Sequence, residues 1–278
     1  MSGSGIDRYG VMGFPVSHSR SPIIHRLFAL QTKQDLQYEL LQVAPDKLES
    51  SVRQFQSTGG KGLNITLPHK TEVMRLVDDM SERARSAGAI NTLSFDDDGI
   101  HGDNTDGVGL MRDLVTNLGL RLEGASILVL GAGGATRGIL APLLGARPGS
   151  ITVANRTLSR ATELAEHFSG VGQLKVCSFD DIPTSLPYDL VINATSAGVK
   201  GETPPYPEAT IGPKTICYDL SYGLKPTPFS HWAASQGAAR SVMGWGMLVE
   251  QAAESFHIWR GVRPDTIAVL KQMSVNAS

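Results

Sequence analysis

The sequence predicts an α/β protein of two lobes, the second of the doubly wound, Rossmann-like type. Three observations lead there. Strand-like and helix-like segments alternate along most of the 278 residues, the pattern of sheets covered by helices. At residue 126 the texture changes to short, fully apolar β runs of the buried parallel type. The first of these runs feeds a glycine turn and then a helix, in SILVLGAGGATRGILAPLLG.

The elements follow in order. RYGVMGF (8–14) reads as a strand. Ser21 followed by Pro22 reads as cap and first helical position, and IIHRLFAL carries the apolar face. YELLQV (38–43) is a strand. PDKLESSVRQFQ (45–56) spaces Leu48, Val52 and Phe55 for a helix that stops near Gly59 and Gly60. GLNITLP is the next strand, Val73, Met74 and Val77 mark a helix, and INTLSF (90–95) with a DDDG turn predicts a hairpin. A helix is expected from about 107 to 119. Beyond residue 126, ITVANRTLSRATELAEHF repeats strand then helix, and LKVCSF, YDLVINAT and TICYDLS are further strands. GMLVEQAAESFHIWRG and PDTIAVLKQM close the chain as helices, and the lobes divide near 105–125.

Composition narrows the function class. The net charge of -2 offers no basic field for nucleic acid. No apolar run approaches the roughly 18 residues of a membrane span, and MSGSGIDRYG has no charged-then-apolar signal pattern. Cys177 and Cys217 stand far apart in apolar contexts, as buried thiols of a reducing cytosol do. The expectation is a cytoplasmic globular protein.

Strand–GAGGA–helix is what a pyrophosphate requires: glycines admit close backbone approach, and a helix N-terminus supplies free N–H groups and a positive dipole end. The sixth position is Thr136 rather than glycine, so the motif is weaker than its context; a tight turn without ligand is the bland alternative. At the end of the next strand an NAD site carries an acid for the ribose hydroxyls. Here Asn155, Arg156, Thr157 and Arg160 stand instead. Two guanidiniums and a hydroxyl suit a 2′-phosphate, so NADP is expected over NAD. Incidental arginines on a solvated helix start are the alternative.

A nicotinamide enzyme reducing a ketone must stabilise and protonate a developing alkoxide. Lys70, delivered after GLNITLPH, is a cation and a proton donor. Asp106 in GDNTDGVG is a carboxylate that could orient it. Read alone, Lys70 is a solvated surface lysine and Asp106 a helix cap. Ser17 and Ser19 in VSHSRSP, Asn64 and Thr66 on one face of a strand, and Asn91 in GAINT are polar enough for a small hydroxylated carboxylate. Each alone has an ordinary turn or cap reading. His18, His25 and His69 have no metal-type spacing, and His69 reads as packing or surface.

Taken together, VSHSRSPIIH, GGKGLNITLPHK, GAINT, GDNTDGVG, GAGGATRG, ANRTLSRA, INATSAG and GWGMLVEQA resemble, in order and spacing, the signatures of shikimate dehydrogenases over nearly the whole chain. The resemblance implies NADP-dependent, reversible reduction of 3-dehydroshikimate to shikimate, in the pathway to aromatic amino acids, with a ligand cleft between an N-terminal α/β substrate domain and an NADP domain. It implies domains of 1–106 with 247–278 and of 107–246, and no nucleic-acid or membrane partner for a monomer or homodimer. It makes Lys70 and Asp106 the catalytic pair, and Ser17, Ser19, Asn64, Thr66, Lys70, Asn91, Asp106, Tyr222 and Gln251 the substrate residues. Gly131, Ala132, Gly133, Gly134 and Ala135 would hold the pyrophosphate, and Asn155, Arg156, Thr157, Leu158, Ser159 and Arg160 the adenosine end. Leu220 and Gly244 would approach the nicotinamide, and Glu82 matches a position that some members use near the cofactor. The helices from about Met247 would return to the first lobe and bring Gln251 to the substrate. Phe14, where many members have Asn, and Arg26, where Asn or Gln is frequent, are departures outside the catalytic positions. Three rivals are weaker: an NAD-preferring quinate/shikimate enzyme, against Arg156; a silent sensor, against the retained Lys70 and Asp106; and a folate-linked dehydrogenase, which gives no reason for GDNTDG.

Overall fold

A computed structural model of the chain describes residues 6–195 and 206–275. The end of the INATSAG motif, 196–198, lies outside the described residues. The chain divides into two compact units: residues 1–109 with 248–271, and residues 110–247 with 272–278.

The first unit is built on a mixed six-stranded sheet, ordered β2-β1-β3-β5-β6-β4. β1 (Asp7–Gly13) lies parallel to β2 (Leu36–Gln42) and β3 (Gly60–Ile65). α1 (Ser21–Thr32) and α2 (Leu48–Ser57) supply the crossovers that parallel pairing demands. β5 (Thr92–Asp96) and β6 (Gly99–Asp103) form the expected antiparallel hairpin, and the two-residue β4 (Asp79–Met80) pairs with β6. Side chains alternate across the sheet. Met12, Leu63, Ile65 and Leu93 join Val52, Phe55, Val73, Ile90 and Ala84 of α3 (Glu82–Ala87) in one core. On the opposite face Tyr9 stacks on Trp259 at 4.7 Å, and Phe28 of α1 meets Phe256 edge-on at 5.7 Å. Those partners belong to α8 (Trp245–Arg260), which is followed by α9 (Thr266–Val275).

The second unit carries six parallel strands ordered β12-β11-β10-β7-β8-β9. They are β7 (Ser126–Leu130), β8 (Ser150–Ala154), β9 (Lys175–Cys177), β10 (Leu190–Asn193), β11 (Ile216–Asp219) and β12 (Arg240–Met243). Renumbered within the unit this is the doubly wound order 3-2-1-4-5-6, whose switch point falls between β7 and β10. Ile127, Val129, Val153 and Ile192 pack on one face against Ile139 and Leu143 of α5 (Gly134–Gly145) and Leu164 of α6 (Leu158–His167). Leu128, Leu130, Val191 and Cys217 pack on the other, against Phe229 and Ala233 of α7 (Pro228–Ser235). The central strands β7, β8, β10 and β11 are buried on both faces and are therefore mostly apolar, which is why these runs show no alternation.

Local differences from the expected elements have local causes. α1 begins one residue earlier than its serine suggests: Arg20 is the capping position and no side chain caps it. Pro45–Lys47 is a 3-10 turn ahead of α2, and Glu72–Leu76 is 3-10 rather than α. The helix expected over 107–119 is α4 (Asp106–Met111) continuing as a wider π turn over Arg112–Asn117. α3, β4, α7 and β12 were not anticipated. They are six, two, eight and four residues long, too short for a period to register.

Candidate active site

β3 ends at Ile65, and four residues of turn (66–69) carry the chain to Lys70. Thr66 N donates to Met12 O at 2.9 Å, His69 N to Thr66 O at 3.0 Å, and Ile90 N to Lys70 O at 2.8 Å. His69 is buried with Nε2 2.8 Å from Val43 O, so it is a packing residue that anchors the turn. The lysine therefore springs from a braced backbone. Its Nζ lies 2.5 Å from Asp106 Oδ2, with side-chain exposures of 15% and 5%. A pair so sheltered interacts far more strongly than one in bulk water.

Asp106 sits in the first turn of α4, and its carboxylate is committed to side chains rather than to capping the helix. Asn91 Nδ2 donates to Oδ1 at 2.9 Å. The orientation of the Asn91 amide is forced: its Oδ1 accepts from the backbone N–H of Thr105 at 2.8 Å, so the NH₂ must face Asp106. Asn91 also donates to Thr105 Oγ1 at 2.8 Å and reaches Gln251 Oε1 at 3.4 Å. Asn64 is buried, accepting from Tyr38 OH at 2.7 Å and donating to Ser255 Oγ at 2.9 Å. Lys70, Asp106, Asn91, Asn64 and Gln251 are thus drawn into one neighbourhood by β3, β5, the loop before α4, and α8. Thr66 is half-buried beside them in sequence, next to Gly13 in space. Ser17 is exposed on the loop after β1, while Ser19 donates to Ser21 Oγ at 3.2 Å. Phe14 and Arg26 are both exposed, and so is Glu82 in the first turn of α3.

In the second unit the glycine turn follows β7 at the switch point. Gly131 has φ +103°, and a Cβ there would lie 3.0 Å from the Ala194 carbonyl oxygen. Only glycine takes this conformation without strain. A Cβ on Gly133 would meet open space, which leaves room beside the N-terminus of α5, begun by Gly134 and Ala135. Thr136, standing where the motif has glycine, donates from Oγ1 to Gly131 O at 2.8 Å and so closes the turn. Asn155 Oδ1 accepts from Ala132 N at 3.2 Å, tying the turn to the end of β8. Thr157, Leu158, Ser159 and Arg160 open α6. Arg156 and Arg160 are exposed and make no side-chain ion pair or hydrogen bond among the described residues. A turn braced at Gly131 and Ala132, leading to the N–H groups at the start of α5 and to two unengaged guanidiniums at the next strand end, fits a dinucleotide bearing a 2′-phosphate.

Leu220 is half-buried after β11, and a Cβ on Gly244 would lie 2.6 Å from its carbonyl oxygen. That backbone contact is reason enough for glycine at 244. Tyr222 packs on Trp245 at 4.8 Å.

Several structural polar groups escaped the sequence reading. Asp219 is fully buried, and burial raises its carboxyl above the ordinary range against hydrogen bonds from Thr227, Ser221 and Asn193. It joins the ends of β10 and β11. Arg83 bridges Asp103 at 2.6 Å and Glu254 of α8 at 2.9 Å. Ser255, Thr92 and Thr105 fill the ground beneath Asn91. In sequence each is an unremarked polar residue inside an apolar or turn context; only pairing partners distant along the chain reveal them.

The shikimate dehydrogenase substrate binding domain family matches residues 11–93, shikimate / quinate 5-dehydrogenase matches 113–200, and the shikimate 5′-dehydrogenase C-terminal domain matches 244–273. The shikimate dehydrogenase (NADP(+)) of Alkalilimnicola ehrlichii is 53% identical over 95% of this chain and 97% of its own. Among solved structures, an Ael1 enzyme from Pseudomonas putida is 45% identical with a TM-score of 0.88, covering 96% of this chain and 98% of its own. The Thermus thermophilus shikimate 5-dehydrogenase, solved in complex with NADP(H) and shikimate, is 30% identical with a TM-score of 0.85, covering 98% and 100%. Near-complete matches by family, sequence and fold lead to one conclusion: the chain belongs to the shikimate dehydrogenase family.

Proposed function

We propose that the chain interconverts 3-dehydroshikimate and shikimate with NADP, and that the ion pair between Lys70 and Asp106 is its catalytic group. The 2.5 Å contact in a sheltered setting is the observation that carries the assignment. In this proposal residues 1–106 with 247–278 hold the substrate, residues 107–246 hold the cofactor, and the protein works in the cytoplasm.

When bound, NADPH supplies the hydride from C4 of its nicotinamide. The turn of Gly131, Ala132, Gly133, Gly134 and Ala135 would hold the pyrophosphate, with the N–H groups of Gly133, Gly134 and Ala135 as donors, since those of Gly131 and Ala132 already bond Ala154 O and Asn155 Oδ1. Asn155, Arg156, Thr157 and Arg160 would hold the adenosine end. As the ketone oxygen gains charge, the Lys70 ammonium stabilises it, and the Lys70–Asp106 pair delivers the proton as a unit. Asp106 keeps the ammonium charged and aimed. In the oxidising direction the same pair takes the hydroxyl proton. Ser17, Ser19, Asn64, Thr66, Asn91 and Gln251 orient the hydroxyls and carboxylate. For Tyr222, Leu220, Gly244 and Glu82 the support is the family motifs alone.

Charge develops only in the transition state, so Lys70→Ala should lower kcat more than it raises KM. The expected fall is at least about 10²- to 10⁴-fold with NADP binding retained. Because Asp106 is left buried without its cation, the melting temperature should also drop, and kcat is compared at temperatures where both proteins are folded. Asp106→Asn should also lower kcat, and the double variant should be far less than additive. A Lys70→Ala enzyme with raised KM for shikimate and wild-type kcat would reduce the lysine to a binding residue.

A further inference from the structure

Ser255 lies on α8, distant in sequence from every residue of the catalytic pair, and is fully buried. Its Oγ accepts from Asn64 Nδ2 at 2.9 Å and lies 2.8 Å from Thr92 Oγ1, 3.2 Å from Thr105 Oγ1 and 3.1 Å from Gln251 O. One hydroxyl thus joins β3, β5, the loop before α4, and α8. Such a junction exceeds what a serine inside a helix needs, since the back-bond to the carbonyl four residues earlier would satisfy it alone.

The proton directions around it are constrained. Asn64 Nδ2 also donates to the Asn91 carbonyl at 3.2 Å, which can only accept, so Tyr38 must donate to Asn64 Oδ1. Thr92 Oγ1 lies 2.8 Å from Asn91 Oδ1, an oxygen that only accepts, so the Thr92 hydroxyl donates there and accepts from Ser255, whose single proton goes to Thr92 rather than to Gln251 O. The chain of bonds therefore runs from Ser255 through Thr92 to the Asn91 amide, and from that amide to Asp106 Oδ1. A second path runs from Ser255 through Thr105 Oγ1 to the same amide.

Resting on the assignment of Lys70 and Asp106 as the catalytic pair, we infer that Ser255 is a positioning residue. It fixes the Asn91 amide against α8, and through Asn91 it sets the Asp106 carboxylate that Lys70 meets. Ser255 touches neither substrate nor cofactor. Its effect reaches the reaction by geometry, where small displacements of a catalytic group cost rate.

The test is steady-state kinetics with shikimate and NADP on the full-length enzyme, with melting curves, for Ser255→Ala, Thr92→Val, Thr92→Ser and the Ser255→Ala/Thr92→Val double variant. Ser255→Ala should lower kcat by about 10- to 100-fold at temperatures where it is folded, leaving KM for NADP unchanged. Thr92→Val, which keeps shape and removes the hydroxyl, should do likewise, and Thr92→Ser should restore activity. The double variant should lose less than the sum, because both act on one amide. A residue that only packs would lower the melting temperature and leave the kcat of the folded enzyme unmoved; that result overturns the inference. Should Ser255→Ala fail to fold, the threonine pair decides: wild-type kcat in Thr92→Val overturns it as well. Lys70→Ala measured alongside separates the two levels. If Lys70→Ala loses kcat and Ser255→Ala does not, only the positioning role fails. If Lys70→Ala keeps kcat, the catalytic assignment beneath it is the one that fails.

Discussion

His25 shows what burial does to a single ionisable group. Its ring stacks on Tyr38 at 4.1 Å and lies 5.5 Å from Trp259, and neither ring nitrogen has a hydrogen-bond partner among the described residues. Burial drives its pKa down to about 3, and the nearby Asn64 amide only partly opposes the shift. The folded protein thus keeps the imidazole neutral, while the unfolded chain protonates it near 6.5. Stability from this group is fully present above pH 6.5 and is lost as pH falls from there toward 3, at up to about 1.4 kcal/mol per pH unit. Urea unfolding from pH 7.5 to 4.5 should therefore show a shallower decline in His25→Phe than in wild type. Parallel declines would mean that the imidazole accepts a proton in the folded state. Nothing in IIHRLFAL separates this histidine from a surface one except its place on the apolar face; the aromatic partners come from β2 and α8.

At the scale of elements, the β7–turn–α5 and β8–α6 units carry the cofactor assignments. A Gly131→Ala substitution places a Cβ at φ +103° and 3.0 Å from the Ala194 oxygen. The turn must shift, so affinity for NADP should fall while the affinity of the first unit for shikimate is retained. Isothermal titration with each ligand checks this, and equal losses for both would indicate general unfolding instead. Arg156→Ala removes one guanidinium from the start of α6. Losing a charge-assisted bond of about 1.5–3 kcal/mol should raise KM for NADP by roughly 10- to 100-fold. KM for NAD, which has no 2′-phosphate, should hardly change; matching damage to both cofactors would refute the arginine's role. These elements were readable because a buried parallel strand, a glycine turn and a helix start each have strong local signals. The 3-10 turn at 72–76 and the π turn at 112–117 were not, since both depart from an α pattern only through packing.

For the molecule as a whole, the order of the chain matters. The first unit is discontinuous: its apolar face under α1 is closed by residues 248–271, with Phe256 against Phe28 and Trp259 against Tyr9. Trp259 Nε1 also donates to Leu93 O at 3.0 Å, and Arg260 pairs with Asp7. Residues 110–247 close the larger part of the second core without help from outside. Expressed alone, residues 110–247 should melt cooperatively, whereas residues 1–109 should melt without a sharp transition and bind a hydrophobic dye. A sharp calorimetric transition in residues 1–109 would show that α8 and α9 are dispensable to that core.

The sequence by itself determined the α/β class, the doubly wound second half, the glycine turn, and the family signatures that single out Lys70 and Asp106. It could do so because helix and strand periods, glycine turns and strand-end residues are properties of neighbours along the chain. Tertiary structure alone decided whether Lys70 meets Asp106, which way the Asn91 amide faces, and which partners Ser255, Arg83 and Asp219 meet. Those outcomes depend on side chains as many as 191 positions apart being brought within hydrogen-bond distance, and no local pattern records that closure.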